Sequence, residues 1–222
     1  MKTVVIHQPD FIPHLSFYER LRKTECLVIL DDAIFSTSGW THRDILIGPN
    51  GPTWFSVSIQ KCPYQTRICD LKLVKDESWR LHNRNRIKEW YCRFPNFDGF
   101  FPVVESLLMS RENHFVTYSM QFHELALKYF NLKPKIIYSS SLNIDSSRND
   151  RLVEICQAVN ASHYITGIGS KDYLNESLFS DKGITVNWFE PKFAYYDNFG
   201  QHVTRLSWLN YGFNFEKFQG WD

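Results

Sequence analysis

Short β-branched runs alternate along this chain with amphipathic segments of helical period. The runs fall at residues 3–6, 26–30, 54–59, 135–138, 163–166 and 185–188. Between them, apolar positions recur every three to four residues over 15–23, 77–93, 103–111, 115–130, 148–159 and 171–179, the spacing of helices with one buried face. Residues 45–59, ILIGPNGPTWFSVSI, read as a hairpin turning at Pro49, Asn50, Gly51 and Pro52. Strands that alternate with helices predict an α/β fold, a mostly parallel Rossmann-like sheet with helices on both faces. The hairpin and the helical segment after it form an insertion in that plan. No repeat, low-complexity tract or linker interrupts the pattern. The expectation is a single domain over 1–222, with residues 36–112 as an elaborating insertion. The aromatic run YGFNFEKFQGW near the C-terminus is expected to pack against the body.

Composition narrows the class. At 222 residues, a domain buries roughly 70–75 % of its unfolded surface and needs no disulfide or metal staple. Basic and acidic residues balance at 25 against 24, so there is no bulk footprint of a nucleic-acid or membrane-surface binder. The opening apolar run is too short for a signal peptide and no 18-residue apolar stretch occurs, which predicts a cytosolic protein. Five cysteines without a CxxC pair predict reduced thiols and no zinc or other metal site. The 18 Phe, 11 Tyr and 7 Trp fit either large aromatic cores or a cleft lined by rings that stack on sugars and bases.

Polar chemistry gathers where strands are expected to end. HQPDFIPH, directly after the first run, carries His7, Gln8, Asp10 and His14 between two prolines that stiffen the turn. In an open α/β sheet such a turn forms the wall of the ligand crevice, and paired histidines there serve as acid and base or as anion ligands. Leu30-Asp31-Asp32 follows the second run; Asp31 is placed to accept from a sugar hydroxyl or to tune a histidine, and equally to close a turn. Trp40 and Arg43 precede the hairpin, an indole face for a sugar ring and a planar fork for an anion. The helix over 77–93 presents Arg80, Arg84 and Lys88 at i, i+4 and i+8, a charged face for solvent or for a diphosphate. Serines 139–141, Ser140 among them, stand where an anion can meet a helix start. In HYITGIGSKDYL, Gly167 and Gly169 make a turn, and Ser170 is expected to cap a helix bearing Asp172 and Tyr173. No complete nucleotide fingerprint or nucleophilic-serine elbow is present.

Taken in order, HQPDFIPHLSFYERL, VILDDAIF, THRDILI, GPTWFSVSI, SWRLHNRNRIKEWY, SSSL, YITGIGSKDYL and GITV resemble the WbqC-like protein family over about residues 4–190. HQPDFIPH and GIGSKDYL are the most specific parts. The family usually has a glycine where Ser16 stands and Asn-Arg where this chain has His42-Arg43. Its members tend to belong to bacterial gene sets for O-antigen and other surface glycans, which implies work on nucleotide-linked sugars. On the family pattern Gln8, Pro9, Asp31, Arg43, Gly167 and Tyr173 are the positions to test.

Together these features give the expectation of a cytosolic enzyme that transfers an acyl or aminoacyl group to a nucleotide-linked amino sugar. His7, His14 and Asp31 would be catalytic. Gln8, Asp10, Trp40, Arg43, Ser140, Gly167, Gly169, Ser170 and Tyr173 would bind substrate. The donor would be carrier-bound, on an acyl carrier protein, or a coenzyme A thioester; no nucleic acid or membrane partner is expected. Nucleotidyl transfer, and a non-catalytic sugar-binding or assembly factor, are the alternatives.

Overall fold

The structure, a computed structural model, describes residues 2–191 and 205–220. Strands β1 (Thr3–His7), β2 (Cys26–Ile29), β5 (Lys135–Tyr138), β6 (His163–Gly167) and β7 (Thr185–Phe189) form a five-stranded sheet in the order β5-β2-β1-β6-β7. Every pairing in it is parallel. Strands β3 (Arg43–Gly48) and β4 (Gly51–Ser56) make a separate antiparallel hairpin. The fold is α/β and Rossmann-like, as the alternating pattern predicts.

Period-two alternation sends successive strand residues to opposite faces of the sheet. Val5, Leu27 and Ile29 enter a large, aromatic core. Their neighbours Val4, Ile6, Cys26 and Val28 enter a smaller one on the other face. Helices α1 (Leu15–Arg20), α2 (Ser78–Tyr91), α3 (Phe97–Leu108), α4 (Phe115–Tyr129) and α7 (Trp208–Asn214) supply the large core. Helices α5 (Arg148–Ala158) and α6 (Glu176–Ser180) supply the small one. Trp208, Leu209 and Phe213 of α7 are fully buried, so the aromatic C-terminal run does pack inward; Trp221 lies outside the described residues.

The structure corrects several local expectations. The hairpin turns on Pro49 and Asn50 alone, because Gly48 already pairs with Gly51 and Ile47 with Pro52; Gly51 adopts φ +104°, which favours glycine. Helix α3 starts at Phe97 and not at 103, running through Pro102. Proline in its second turn forfeits one backbone bond, and burial of Phe100, Phe101, Val104 and Leu108 outweighs that loss. Residues 171–179 are not one helix. A single 3₁₀ turn (Ile168–Ser170) is followed by a turn, and α6 begins at Glu176 after Asn175, whose side chain accepts from the Ser177 amide. Asp172 and Tyr173 therefore ride on a turn, and Ser170 caps no helix.

Helix α2 departs from its expected charged face. Arg84 pairs with Glu105 at 2.5 Å, but Arg80 is buried. It donates through Nε to the Ser110 carbonyl at 2.9 Å, through Nη2 to Glu112 at 2.6 Å and through Nη1 to Val74 at 3.3 Å. All five cysteines are free. Among the described residues, no helix is long and apolar enough to cross a membrane, and no group of three or more His, Cys, Asp or Glu side chains could hold a metal ion.

Candidate functional site

From β1 the chain winds outward through β2 to β5, then returns to place β6 on the other side of β1. The carboxyl ends of β1 and β6 therefore flank the topological switch point, where open α/β sheets bind ligands. His7 is the last residue of β1, and Gly167 the last of β6.

The loop after β1 is held on several sides. Ser119 Oγ of α4 donates to the Pro9 and Asp10 carbonyls at 3.0 and 3.2 Å, and His123 Nε2 lies 2.8 Å from the Asp10 carbonyl. The Phe11 amide donates to the Thr41 carbonyl at 2.8 Å, and Thr41 Oγ1 donates to Gln8 Oε1 at 2.9 Å. The Trp208 amide donates to the Pro13 carbonyl at 3.1 Å. Between these anchors Ile12, fully buried, sits at φ +47°. A β-branched residue in the left-handed region is strained, at a typical cost of about 1–3 kcal/mol. The anchors keep it there.

Within this frame His7 Nε2 is 3.2 Å from Asp10 Oδ2, and its ring packs on Phe17 at 4.7 Å. The other Asp10 oxygen, Oδ1, is buried without a hydrogen-bond partner. His14 Nδ1 lies 2.7 Å from Ser16 Oγ, so Ser16 orients an imidazole. Burial, reinforced by the charges of His7 and Arg20, holds His14 down to about 4. It is neutral at pH 7.

Arg20, the last residue of α1, closes the site on the β6 side. Its Nη1 stands 3.8 Å from where a Cβ on Gly167 would be, and its guanidinium carbon lies 5.5 Å from the Phe17 ring centroid. Nε is shielded from solvent and has no hydrogen-bond partner among the described residues. Desolvation lowers its pKa, while Tyr164, Asp10 and Tyr173 pull the other way; an arginine stays charged under such shifts. A partly desolvated cation with an incomplete set of hydrogen bonds gains from a nearby anion.

The turn after β6 is tied by hydroxyls. Ser170 Oγ accepts from Thr166 Oγ1 at 3.1 Å and from the Tyr173 hydroxyl at 2.9 Å. Both acceptor positions being used, the Ser170 proton is left to donate. Neither Gly167 nor Gly169 has positive φ, and nothing stands within 4 Å of a Cβ on Gly169. What these glycines provide is open space beside Arg20 and the turn, and not an unusual backbone.

Other expected site residues lie apart from this group. Asp31 is buried and its oxygens accept inside the protein: Oδ1 from the Ser140 amide at 2.9 Å and Ser139 Oγ at 3.2 Å, Oδ2 from Ser140 Oγ at 2.7 Å. Asp32 accepts from Ser139 Oγ and pairs with Arg151. These carboxylates latch the end of β2 to the end of β5. Arg43 opens the hairpin and Trp40 stands in the turn before it. Arg43 donates to the Gly39 and Ser38 carbonyls at 3.0 and 2.6 Å and covers the Trp54 ring at 4.5 Å. Trp40 packs on Trp54 at 4.7 Å.

Two residues of the site were missed from sequence. Arg20 looked like an ordinary charge at the end of an amphipathic helix. Asp44 is buried, with its carboxyl pushed well above the ordinary range by burial; the Ile45 amide opposes this and the nearby charge of Asp10 adds to it. Asp44 carried a legible signal: in Arg43-Asp44-Ile45-Leu46 it takes the inward register beside Leu46, where an apolar residue belongs.

The sequence profile of the WbqC-like protein family matches residues 8–219. The uncharacterised protein Rv1507c of Mycobacterium tuberculosis is 21 % identical over 195 residues, spanning 86 % of this chain and 83 % of its own. No solved structure gives a significant match.

Proposed function

The chain belongs to the WbqC-like protein family, and from that premise we propose that it is a transferase of bacterial surface-glycan assembly. It moves an acyl or aminoacyl group onto the amine of a nucleotide-linked amino sugar. The observation that carries this reading is the placing of the His7–Asp10 pair and the unpartnered Arg20 at one switch point.

In this mechanism Arg20 and the Ser170 hydroxyl hold the diphosphate of the sugar nucleotide, and the space at Gly167 lets it approach. Asp10 engages Nε2 of His7, fixes the ring and stabilises the positive charge that develops on it, the role a carboxylate plays behind a catalytic imidazole. The other ring nitrogen, Nδ1, takes a proton from the sugar amine as nitrogen attacks the carbonyl of a thioester donor. The new C–N bond forms, the C–S bond breaks, and His7 returns the proton to the departing thiolate. Positioned proton transfer of this kind typically contributes about 10²–10⁴-fold. His14, neutral at pH 7, donates or accepts a hydrogen bond at the same centre. Asp31 acts at a distance, by fixing the strand end beside His7.

The test is product formation from amino-sugar nucleotides and coenzyme A or carrier thioesters, run on wild type, His7→Ala and Arg20→Gln. Loss of turnover with retained nucleotide binding in His7→Ala supports the reading; full turnover in that variant sinks it. Binding without turnover for every donor would favour a sugar-binding assembly factor, and pyrophosphate release from a nucleoside triphosphate would favour nucleotidyl transfer.

A further inference from the structure

A second concave surface lies across α4 from the histidine loop. It encloses about 590 Å³, with Lys72, Lys75, Arg111, His114 and Gln121 among its walls. Ser119 and His123, one turn apart on α4, hold the Asp10 carbonyl. Gln121 stands midway between them in sequence, about 200° around the helix axis from Ser119. The groove therefore opens on the opposite face of the helix, independent of the site at the switch point.

Its charges are unbalanced. The side chains of Lys72, Lys75 and Arg111 are exposed and make no ion pair or hydrogen bond among the described residues. Elsewhere Arg67, Arg84 and Arg151 are each matched with a carboxylate. The carboxylate in the groove wall, Glu112, is already engaged: Oε1 accepts from the Asn113 and His114 amides at 2.7 and 2.6 Å.

The backbone segments that carry these cations are tied together. Buried Arg80 bonds the Val74 carbonyl on one wall and the Ser110 and Glu112 carbonyls on the other, with its guanidinium over the Trp79 ring at 4.4 Å. It clamps the two segments that carry Lys72, Lys75 and Arg111. The N-terminal end of α4, a fifteen-residue helix that begins beside His114, contributes positive potential in the same direction. The volume falls within the range of about 300–1,000 Å³ usual for small-molecule sites.

We infer that this groove is a second binding site, for a small ligand bearing a diphosphate group. Lys72 and Lys75 act as point charges and Arg111 as a planar fork on the phosphoryl oxygens.

Calorimetric titration tests this with inorganic pyrophosphate and, separately, a nucleoside diphosphate as probes. The proteins are wild type, Lys75→Glu/Arg111→Glu, Lys75→Gln/Arg111→Gln and Arg20→Gln. The altered groove side chains are exposed, so unliganded thermal unfolding should be unchanged; the glutamine pair serves if charge reversal perturbs folding. The groove's binding event for pyrophosphate should weaken about tenfold or more in the groove variants and persist in Arg20→Gln, which removes only what the switch point binds. Affinity should fall as ionic strength rises. Equal or tighter binding of the nucleoside diphosphate supports the same site, with or without recognition of the base. Absence of pyrophosphate binding overturns the inference, as does wild-type affinity in the groove variants. Loss confined to Arg20→Gln assigns the diphosphate to the switch point and also overturns it. A short single-stranded RNA that displaces pyrophosphate and binds more tightly than the nucleoside diphosphate rejects the small-ligand assignment.

Discussion

Arg20 at the end of α1 and Gly167 at the end of β6 face each other across the switch point, Nη1 standing 3.8 Å from the place a Cβ on Gly167 would take. Arg20 Nε has no partner there, so the guanidinium loses hydration without full compensation. Arg20→Gln should leave the unliganded protein equally or more stable, and should abolish its stabilisation by sugar nucleotides. A ligand at 100 times its Kd stabilises a fold by about 2.7 kcal/mol. Thermal unfolding with and without ligand reads both effects; destabilisation of the unliganded variant by more than about 2 kcal/mol would mark Arg20 as structural.

The buried histidines should make this protein lose stability as pH falls below neutral. His123 is fully buried, and burial holds it down to about 4, as it does His14. A histidine whose folded pKa lies below its unfolded value near 6.5 is neutral in the fold while the unfolded chain gains a proton. The contribution of these histidines is therefore complete above pH 6.5 and falls as pH drops toward 4. His123 alone should contribute a loss of about 2 kcal/mol between pH 8 and pH 5. Urea unfolding at a series of pH values checks this, and His123→Gln should flatten the slope.

The Asp31 latch joins strand ends more than 100 residues apart in sequence, since Ser140 lies 109 residues from Asp31. Asp31→Asn replaces one acceptor by a donor, leaving either the Ser140 hydroxyl or the Ser140 amide without its acceptor. A loss of about 1–3 kcal/mol is expected, measured by denaturant unfolding. Ligand affinity at the switch point should change little if Asp31 acts only through strand position.

Gly212 in α7 tests core packing. A Cβ there would meet Phe100 Cε1 and Cζ at 2.5 Å, and Phe100 is confined by Trp208, Tyr129 and Phe213 at 5.8, 6.0 and 5.0 Å. Alanine gains about 1 kcal/mol of helix propensity over glycine, but overpacking typically costs about 1–3 kcal/mol. With the ring hemmed in, the clash should win. Gly212→Ala should lower the unfolding temperature by several degrees.

Local periodicity was enough to reveal the parallel sheet, most of its helices, the hairpin, and the polar residues gathered at the end of the first strand. Those features depend on spacing within a few residues, which the chain carries on its face. Tertiary structure decided which charges went inside. Arg80 has the same i, i+4 spacing as Arg84 and Lys88, yet it is buried because three carbonyls, the farther two from 30 and 32 residues away, meet its guanidinium. Asp31 became a latch and Arg20 an unpartnered cation for the same reason. Burial and hydrogen bonding of a polar side chain are set by neighbours distant in the chain, and no local period encodes them.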